Sequence, residues 1–86
     1  MSIYKCNNIA IAPGQIWSWT SRSSTDWYYK VCVLDSTDRE NNYKCLYLEC
    51  GPGASAKAGD IGNFAFRHED DCYKFLGKNK CKKCYK

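Results

Sequence analysis

Residues 27–50 read WYYKVCVLDSTDRENNYKCLYLEC, and this stretch decides the fold. Both halves place apolar residues at every second position, which is the period of a strand with one buried face. β-branched and aromatic residues dominate, and no apolar series with the i, i+3, i+4 spacing of a helix competes. A charged, Asn-rich run at 36–42 separates the halves. The sequence therefore predicts a β-hairpin.

The alternation also predicts which side chains of the hairpin face the core. The residues expected there are Val31, Val33, Leu46 and Leu48. The opposite face then carries Tyr28, Lys30, Tyr43, Cys45 and Tyr47. A row of outward tyrosines indicates a ligand surface, or a face covered by a second layer or by the chain tail.

The rest of the chain also has strand patterns separated by turn-forming segments. Strand-like alternation is weak at 8–13 and clearer at 15–21, 61–66 and 72–77, and Trp17 and Trp19 share one face of the second segment. The connections at 21–26, 51–60 and 67–71 are rich in Gly, Pro, Ser or charged residues. The Gly-rich connection lacks the Gly-Lys-Ser/Thr order of a phosphate-binding loop, because Lys57 lies between two alanines. We expect an all-β chain without a nucleotide site.

Length and charge describe a single domain with a basic tail. The 86 residues carry a net charge of +4, yet residues 72–86 hold six lysines and no acid, which leaves −2 for residues 1–71. We therefore expect one domain over 1–86, with a barrel at about 8–76 and a basic tail at 77–86. The tail is either a solubilising segment or a local polyanion-binding segment.

The termini and the cysteines predict a cytoplasmic protein. The N-terminal residues contain no apolar run of the length that a secretion signal needs, and no segment approaches the length of a membrane-spanning helix. Seven cysteines are an odd number for a disulfide scaffold, so reduced thiols or metal ligands are the favoured interpretation.

Three short motifs give the layout a resemblance to a known architecture. These are PGQIW at 13–17, WYYKV at 27–31 and GD at 59–60 before a phenylalanine-rich strand. Over about 13–76 the chain resembles the SH3-like small-barrel domains of bacterial and phage proteins. The resemblance implies a partly open barrel of five or six antiparallel strands whose loops or one face bind protein or nucleic acid. The fold does not identify the ligand.

One constellation has the residue types of a structural zinc site. It consists of His68, Cys72, Cys81 and Cys84, in which the last two form a Cys-x2-Cys knuckle. Zinc prefers four tetrahedral nitrogen or sulfur ligands, and a knuckle lets two thiolates converge on one ion. A redox pair, a disulfide and unpaired tail thiols remain alternatives.

No set of residues predicts catalysis. His68 is the only side chain suited to act as a base at neutral pH, and it lies in the charged turn RHEDD at 67–71. We expect a non-catalytic binding module, such as an adaptor or a stoichiometric inhibitor of the kind phages encode. Its partner is a protein, contacted through Trp17, Trp19, Tyr28, Tyr43 and Tyr47. An aromatic cage for methylated lysine is a narrower version of this hypothesis.

Nucleic-acid binding is the alternative function. Tail lysines would contact phosphates while aromatic rings of the sheet stack on bases, as in single-strand binders. The lysines predicted to take this role are Lys78, Lys80, Lys82 and Lys83.

Overall fold

The computed structural model describes residues 4–78, which form seven strands and, within that range, no helix. The strands are β1 (Lys5–Cys6), β2 (Ile9–Ala10), β3 (Gln15–Thr20), β4 (Tyr28–Ser36), β5 (Asn42–Cys50), β6 (Ile61–Ala65) and β7 (Tyr73–Lys78). The all-β prediction is confirmed. The tail from residue 79 onward lies outside the described residues.

The strands form two antiparallel sheets. β1 and β2 pair with each other, and the other five pair in the order β6-β5-β4-β3-β7. The predicted hairpin is the β4-β5 pair near the middle of the larger sheet. The two edge strands of this larger sheet, β6 and β7, are also in contact. The Tyr73 hydroxyl on β7 donates a hydrogen bond to the Ala65 carbonyl on β6 at 2.7 Å.

Most of the core lies on one face of the large sheet, which we call the inner face. Its buried residues are Trp17, Val31, Val33, Tyr43, Cys45, Phe64, Phe66 and Tyr73, packed together with Cys6 and Ile11. The opposite, outer face has a smaller cluster of Ile16, Cys32 and Leu46 with Leu34 and Leu48 beside it. The sheet is therefore apolar on both faces.

The prediction for the faces of β5 is wrong. Val31 pairs with Tyr47 and Val33 pairs with Cys45, so the inner face carries Tyr43, Cys45 and Tyr47. Leu46 instead pairs with Cys32 on the outer face. Both sets of β5 residues are apolar, so alternation alone cannot choose between them. Register makes the choice, and two β-bulges, at Lys30/Val31 and Val33/Asp35, interrupt it.

The N-terminal hairpin β1-β2 is tied to the turn before β7. Asn7 and Asn8 form its two-residue connection with φ angles of 50° and 68°, which Asn tolerates and a type I′ turn requires. The Asn7 side chain accepts a hydrogen bond from the Asp70 N–H at 3.0 Å and donates to the carbonyls of Asp70 and Tyr73. A short edge strand was predicted at 8–13, and its partner β1 was not.

Candidate binding surface

Four aromatic side chains form a continuous surface, the aromatic row, made of Trp19, Trp27, Tyr29 and Tyr47. Ring centroids are 5.2 Å apart for Trp27 and Trp19, and 5.8 Å apart for Trp19 and Tyr29. The Tyr29 and Tyr47 centroids are 5.3 Å apart. Trp27 is 42% exposed, and the other three rings are half-buried against the core. The row is thus packed from below and open to solvent at Trp27.

Strand pairing explains why the row crosses the sheet. Trp19 and Tyr29 are directly opposite each other on β3 and β4, where cross-strand rings approach closely. The next ring of the row is Tyr47 on β5, and its centroid lies 6.2 Å from that of Phe64 on β6. The Trp27 indole N–H donates a hydrogen bond to the Tyr29 hydroxyl at 3.1 Å, which fixes the most exposed ring.

Two loops hold the end of the row that carries Trp27. The N–H of Gly53 donates to the Asp26 carbonyl at 2.8 Å, and the N–H of Gly51 donates to the Tyr28 carbonyl at 2.9 Å. A Cβ atom at Gly51 would lie 2.1 Å from the Asp26 carbonyl oxygen. Glycine is therefore required at position 51 for the two loops to approach.

A similar backbone clamp places Asp60 beside the other end of the row. Tyr47 donates its N–H to the Asp60 carbonyl at 2.8 Å and accepts from the Gly59 N–H at 2.7 Å. Burial is the main cause that raises the pKa of Tyr47, and the charge of Asp60 adds to it. The carboxylate of Asp60 is therefore within electrostatic range of the row.

The predicted binding residues have different positions in the structure. Trp19 and Tyr47 belong to the row, whereas Trp17 is fully buried and Tyr43 is 7% exposed. Tyr43 was expected to point outward, and that expectation is wrong because the β5 faces are inverted. Tyr28 is half-buried opposite Thr20.

Sequence reasoning did not name Trp27 and Tyr29 as binding residues. By alternation both fall on the same side as Val31 and Val33, the side that the sequence predicts to face the core. For Tyr29 this side is correct, because its ring packs against the inner-face core. At the end of the row that carries Trp27, however, the inner face is open to solvent. The missing signal was the pairing of Tyr29 with Trp19, which alternation within one strand cannot reveal.

The described zinc candidates lie in different surroundings. His68 stacks on Tyr4 with a centroid distance of 4.5 Å, and its Nδ1 lies 3.2 Å from the Lys5 carbonyl oxygen. Cys72 instead groups with Asp70 and Asp71, with potential ligand atoms within 4.8 Å of one another. Cys81 and Cys84 lie outside the described residues, so the zinc site stays a prediction.

The two carboxylates near Cys72 already form ion pairs with an arginine side chain. Arg22 bonds the carboxylates of Asp70 and Asp71 at 3.2 and 2.6 Å. A hydrogen bond from the Cys72 N–H lowers the pKa of Asp70, and Arg22 lowers it further. Desolvation and the neighbouring Asp70 raise the pKa of the Cys72 thiol, which disfavours the reactive thiolate.

The cysteines are not all reduced. Cys6, Cys45, Cys50 and Cys72 are free thiols, in agreement with the expectation from sequence. Cys32 is disulfide-bonded, so the expectation of a reduced thiol is wrong at that position. None of the four free cysteines is its partner.

No known protein family, curated protein or solved structure matches the chain. Within 4–78, no helix is long and apolar enough to cross a membrane. Lys78 is exposed at the end of β7, and the other lysines predicted to contact phosphates lie outside the described residues.

Proposed function

We propose that the chain is a non-catalytic binding module that engages a partner protein through the aromatic row. The observation that carries this proposal is the contiguity of Trp27, Trp19, Tyr29 and Tyr47 on one open stretch of the inner face. Trp and Tyr dominate protein–protein hot spots because they offer a large contact area with few rotatable bonds.

The row is also suited to binding because its rings are already ordered. Each ring contacts a neighbouring ring, and Trp27 is held by a hydrogen bond and by the loop clamp at Gly51 and Gly53. Ordering an aromatic side chain on association costs free energy, so a preorganised ring retains more of its contact energy as affinity.

The fold that we propose for this module is a partly open SH3-like barrel. Two observations support it: the five-stranded antiparallel order β6-β5-β4-β3-β7, and the contact of Tyr73 on β7 with Ala65 on β6. In this arrangement the inner face is the barrel interior, and the aromatic row lines its open part.

Charge favours a protein partner over nucleic acid for this surface. Of the 13 basic and 9 acidic residues, Lys80, Lys82, Lys83 and Lys86 lie outside 4–78, so the described part carries equal numbers of both signs. A surface that tracks a phosphate backbone needs an excess of basic residues. The row lacks such an excess: beside Trp19 one cavity is lined by Arg22, Arg67 and Asp70, and Arg22 is paired with the carboxylates of Asp70 and Asp71.

The test compares two apolar residues of similar exposure on opposite faces. Trp27→Ala removes the most exposed ring of the row, and Ile61→Ala removes a 55% exposed side chain that pairs with Leu46 of the outer face. In affinity capture from cell lysate, we expect Trp27→Ala to weaken partner binding tenfold or more, since hot-spot truncation costs about 2 kcal/mol. Ile61→Ala should retain it.

Folding is checked for both variants by their melting temperature. If Trp27→Ala stays folded and captures the same partner at the same level as the unmodified chain, the row is not the binding surface.

A further inference from the structure

We propose that the C-terminal segment 79–86 lies across the outer face of the large sheet, held there by a disulfide between Cys32 and one of two tail cysteines, Cys81 or Cys84. Two observations carry the inference: Cys32 is disulfide-bonded, and it lies in a buried apolar cluster on that face. Neither depends on the aromatic row, which belongs to the opposite face.

The disulfide partner of Cys32 follows by elimination. The chain has seven cysteines, and Cys32 is disulfide-bonded. The other cysteines between 4 and 78 are free thiols, namely Cys6, Cys45, Cys50 and Cys72. Within one chain, Cys81 and Cys84 are the two that remain.

The tail segment starts close enough to Cys32 for this bond. Gly77 lies opposite Ile16, and Ile16 lies opposite Cys32, so Gly77 is two strand spacings from Cys32, about 10 Å. An extended chain from Gly77 to Cys81 spans about 13 Å, and the Cα atoms of a disulfide are about 4.4 to 6.8 Å apart. Gly77 has a φ of 128°, a conformation that favours glycine and lets the chain change direction there.

Burial on the outer face indicates that another segment lies over it. Cys32 is 0% exposed, Ile16 5% and Leu46 8%. The partly buried hydrophobic residues packed against them within 4–78 are Leu34 and Leu48, which belong to β4 and β5 themselves. Neighbours in the same sheet leave the top of a side chain open, and an apolar sheet face needs a second element to bury it.

The small β1-β2 sheet is not that element. Its residue Cys6, and Ile11 directly after it, pack into the core of the inner face. A segment of the length of 79–86 spans about 26 Å when extended, which is more than the width of the three strands that carry the outer cluster. The tail segment therefore has both the tether and the length to bury this cluster.

The bond forms by thiol–disulfide exchange with a small-molecule disulfide such as oxidised glutathione. One cysteine thiolate attacks it and releases one thiol, and the second thiolate then attacks the mixed disulfide and releases the other. A cysteine in a disulfide has no thiolate to offer zinc. The bond and the predicted zinc site, which needs both Cys81 and Cys84, therefore exclude each other in one chain.

Peptide mapping without reductant tests the bond directly. The chain is equilibrated in a glutathione redox buffer, unfolded in N-ethylmaleimide and digested with trypsin, which places Cys32 in peptide 31–39, Cys81 in 81–82 and Cys84 in 84–86. We expect peptide 31–39 to be linked to one of these two tail peptides. A bond from Cys32 to a cysteine between 4 and 78, a Cys81–Cys84 bond, a dimer linked through Cys32, or an alkylated Cys32 would each overturn the assignment.

Methyl NMR with a soluble gadolinium chelate tests whether the segment covers the outer face. Dithiothreitol should break this bond alone, because the other cysteines between 4 and 78 are free. We expect the relaxation enhancement at the Leu46 methyls to rise at least twofold on reduction, while the Val31 methyls, buried on the inner face, stay unchanged. Equal enhancement at Leu46 before and after reduction would contradict the proposed cover.

A matched pair of cysteine variants adds a measurement of stability. Cys32→Ala should lower the melting temperature in oxidising buffer by about 10 °C or more and make it insensitive to dithiothreitol. Cys50→Ser, which replaces a free thiol, should keep the sensitivity of the unmodified chain. If Cys32→Ala does not fold, the unmodified chain still decides the matter, because a melting temperature unaffected by dithiothreitol would overturn the proposal.

Discussion

Gln15 shows how a single buried amide can organise the start of β3. Its side-chain oxygen accepts hydrogen bonds from the Trp17 indole at 2.9 Å and the Ala12 N–H at 3.1 Å. Its side-chain nitrogen donates to the Ala10 carbonyl at 2.9 Å. Within 4–78, no buried side-chain nitrogen or oxygen lacks a hydrogen bond. The polar groups around Trp17 therefore depend on one another.

Replacing Gln15 by Leu should destabilise the chain by about 2 to 3 kcal/mol, because a buried indole N–H and two backbone groups lose a partner. Urea unfolding followed by tryptophan fluorescence measures the change. Thr20→Val, an exposed substitution on the same strand, should stay within about 0.5 kcal/mol of the unmodified chain. A Gln15→Leu chain as stable as Thr20→Val would show that these hydrogen bonds contribute nothing net.

Asn7 and Asn8 offer a matched pair, since both have positive φ and glycine adopts that conformation without strain. Asn7→Gly removes three side-chain hydrogen bonds to Asp70 and Tyr73 and should cost about 1 to 2 kcal/mol. Asn8→Gly should lower the free energy of unfolding by only about a few tenths of a kcal/mol. Equal unfolding midpoints for the two variants would contradict the assignment of Asn7 as the tie between the N-terminal hairpin and the turn before β7.

At the scale of elements, sequence periodicity located strands better than it assigned their faces. The strands β3, β4 and β6 appear where alternation predicted them, since apolar residues at every second position fit a pleated backbone and no helical pattern competes. In β5 the alternative apolar series Tyr43-Cys45-Tyr47 and Leu46-Leu48 are equally suitable for burial. Pairing with β4 decides between them, and that is a long-range property.

The loop clamp at Gly51 is a prediction at the same scale. Gly51→Ala must displace the Asp26 carbonyl, because the added Cβ would lie 2.1 Å from its oxygen, whereas at Gly53 the distance is 3.3 Å. We expect Gly51→Ala to cost about 1 to 3 kcal/mol and to move the Trp27 indole N–H signal in the free chain. Gly53→Ala should do much less. If both variants keep the Trp27 signal of the unmodified chain, the clamp does not position the row.

At the scale of the whole molecule, aromatic rings connect the strands from one edge of the sheet to the other. The ring centroids of Phe64 and Phe66 are 5.1 Å apart, and those of Tyr73 and Phe66 are 5.6 Å apart. Through Tyr73 the core joins β7 to β6, the two edges that have no backbone pairing with each other. The Tyr73 phenol therefore reports on the contact between these two edges.

Alkaline pH should weaken the fold through Tyr73 and Cys45. Burial raises the pKa of Tyr73 from 10.0 to about 12, and burial raises the pKa of Cys45 from 9.0 to about 12. In each case the folded chain keeps a proton that the unfolded chain releases. The free energy of unfolding is therefore unaffected by these groups below about pH 9. It falls as the pH rises toward 12, by up to about 1.4 kcal/mol per pH unit for each group.

Tyr73→Phe isolates the phenol in this pH dependence. The variant loses the hydrogen bond to Ala65 and should be about 1 kcal/mol less stable at pH 8. Between pH 10 and 11.5, however, its stability should fall less steeply than that of the unmodified chain, because one of the groups that lose protons is gone. Urea unfolding at half-unit pH intervals measures both slopes. Parallel slopes would mean that Tyr73 ionises with similar ease in the folded and unfolded chains, and that the edge-to-edge contact does not bury its hydroxyl.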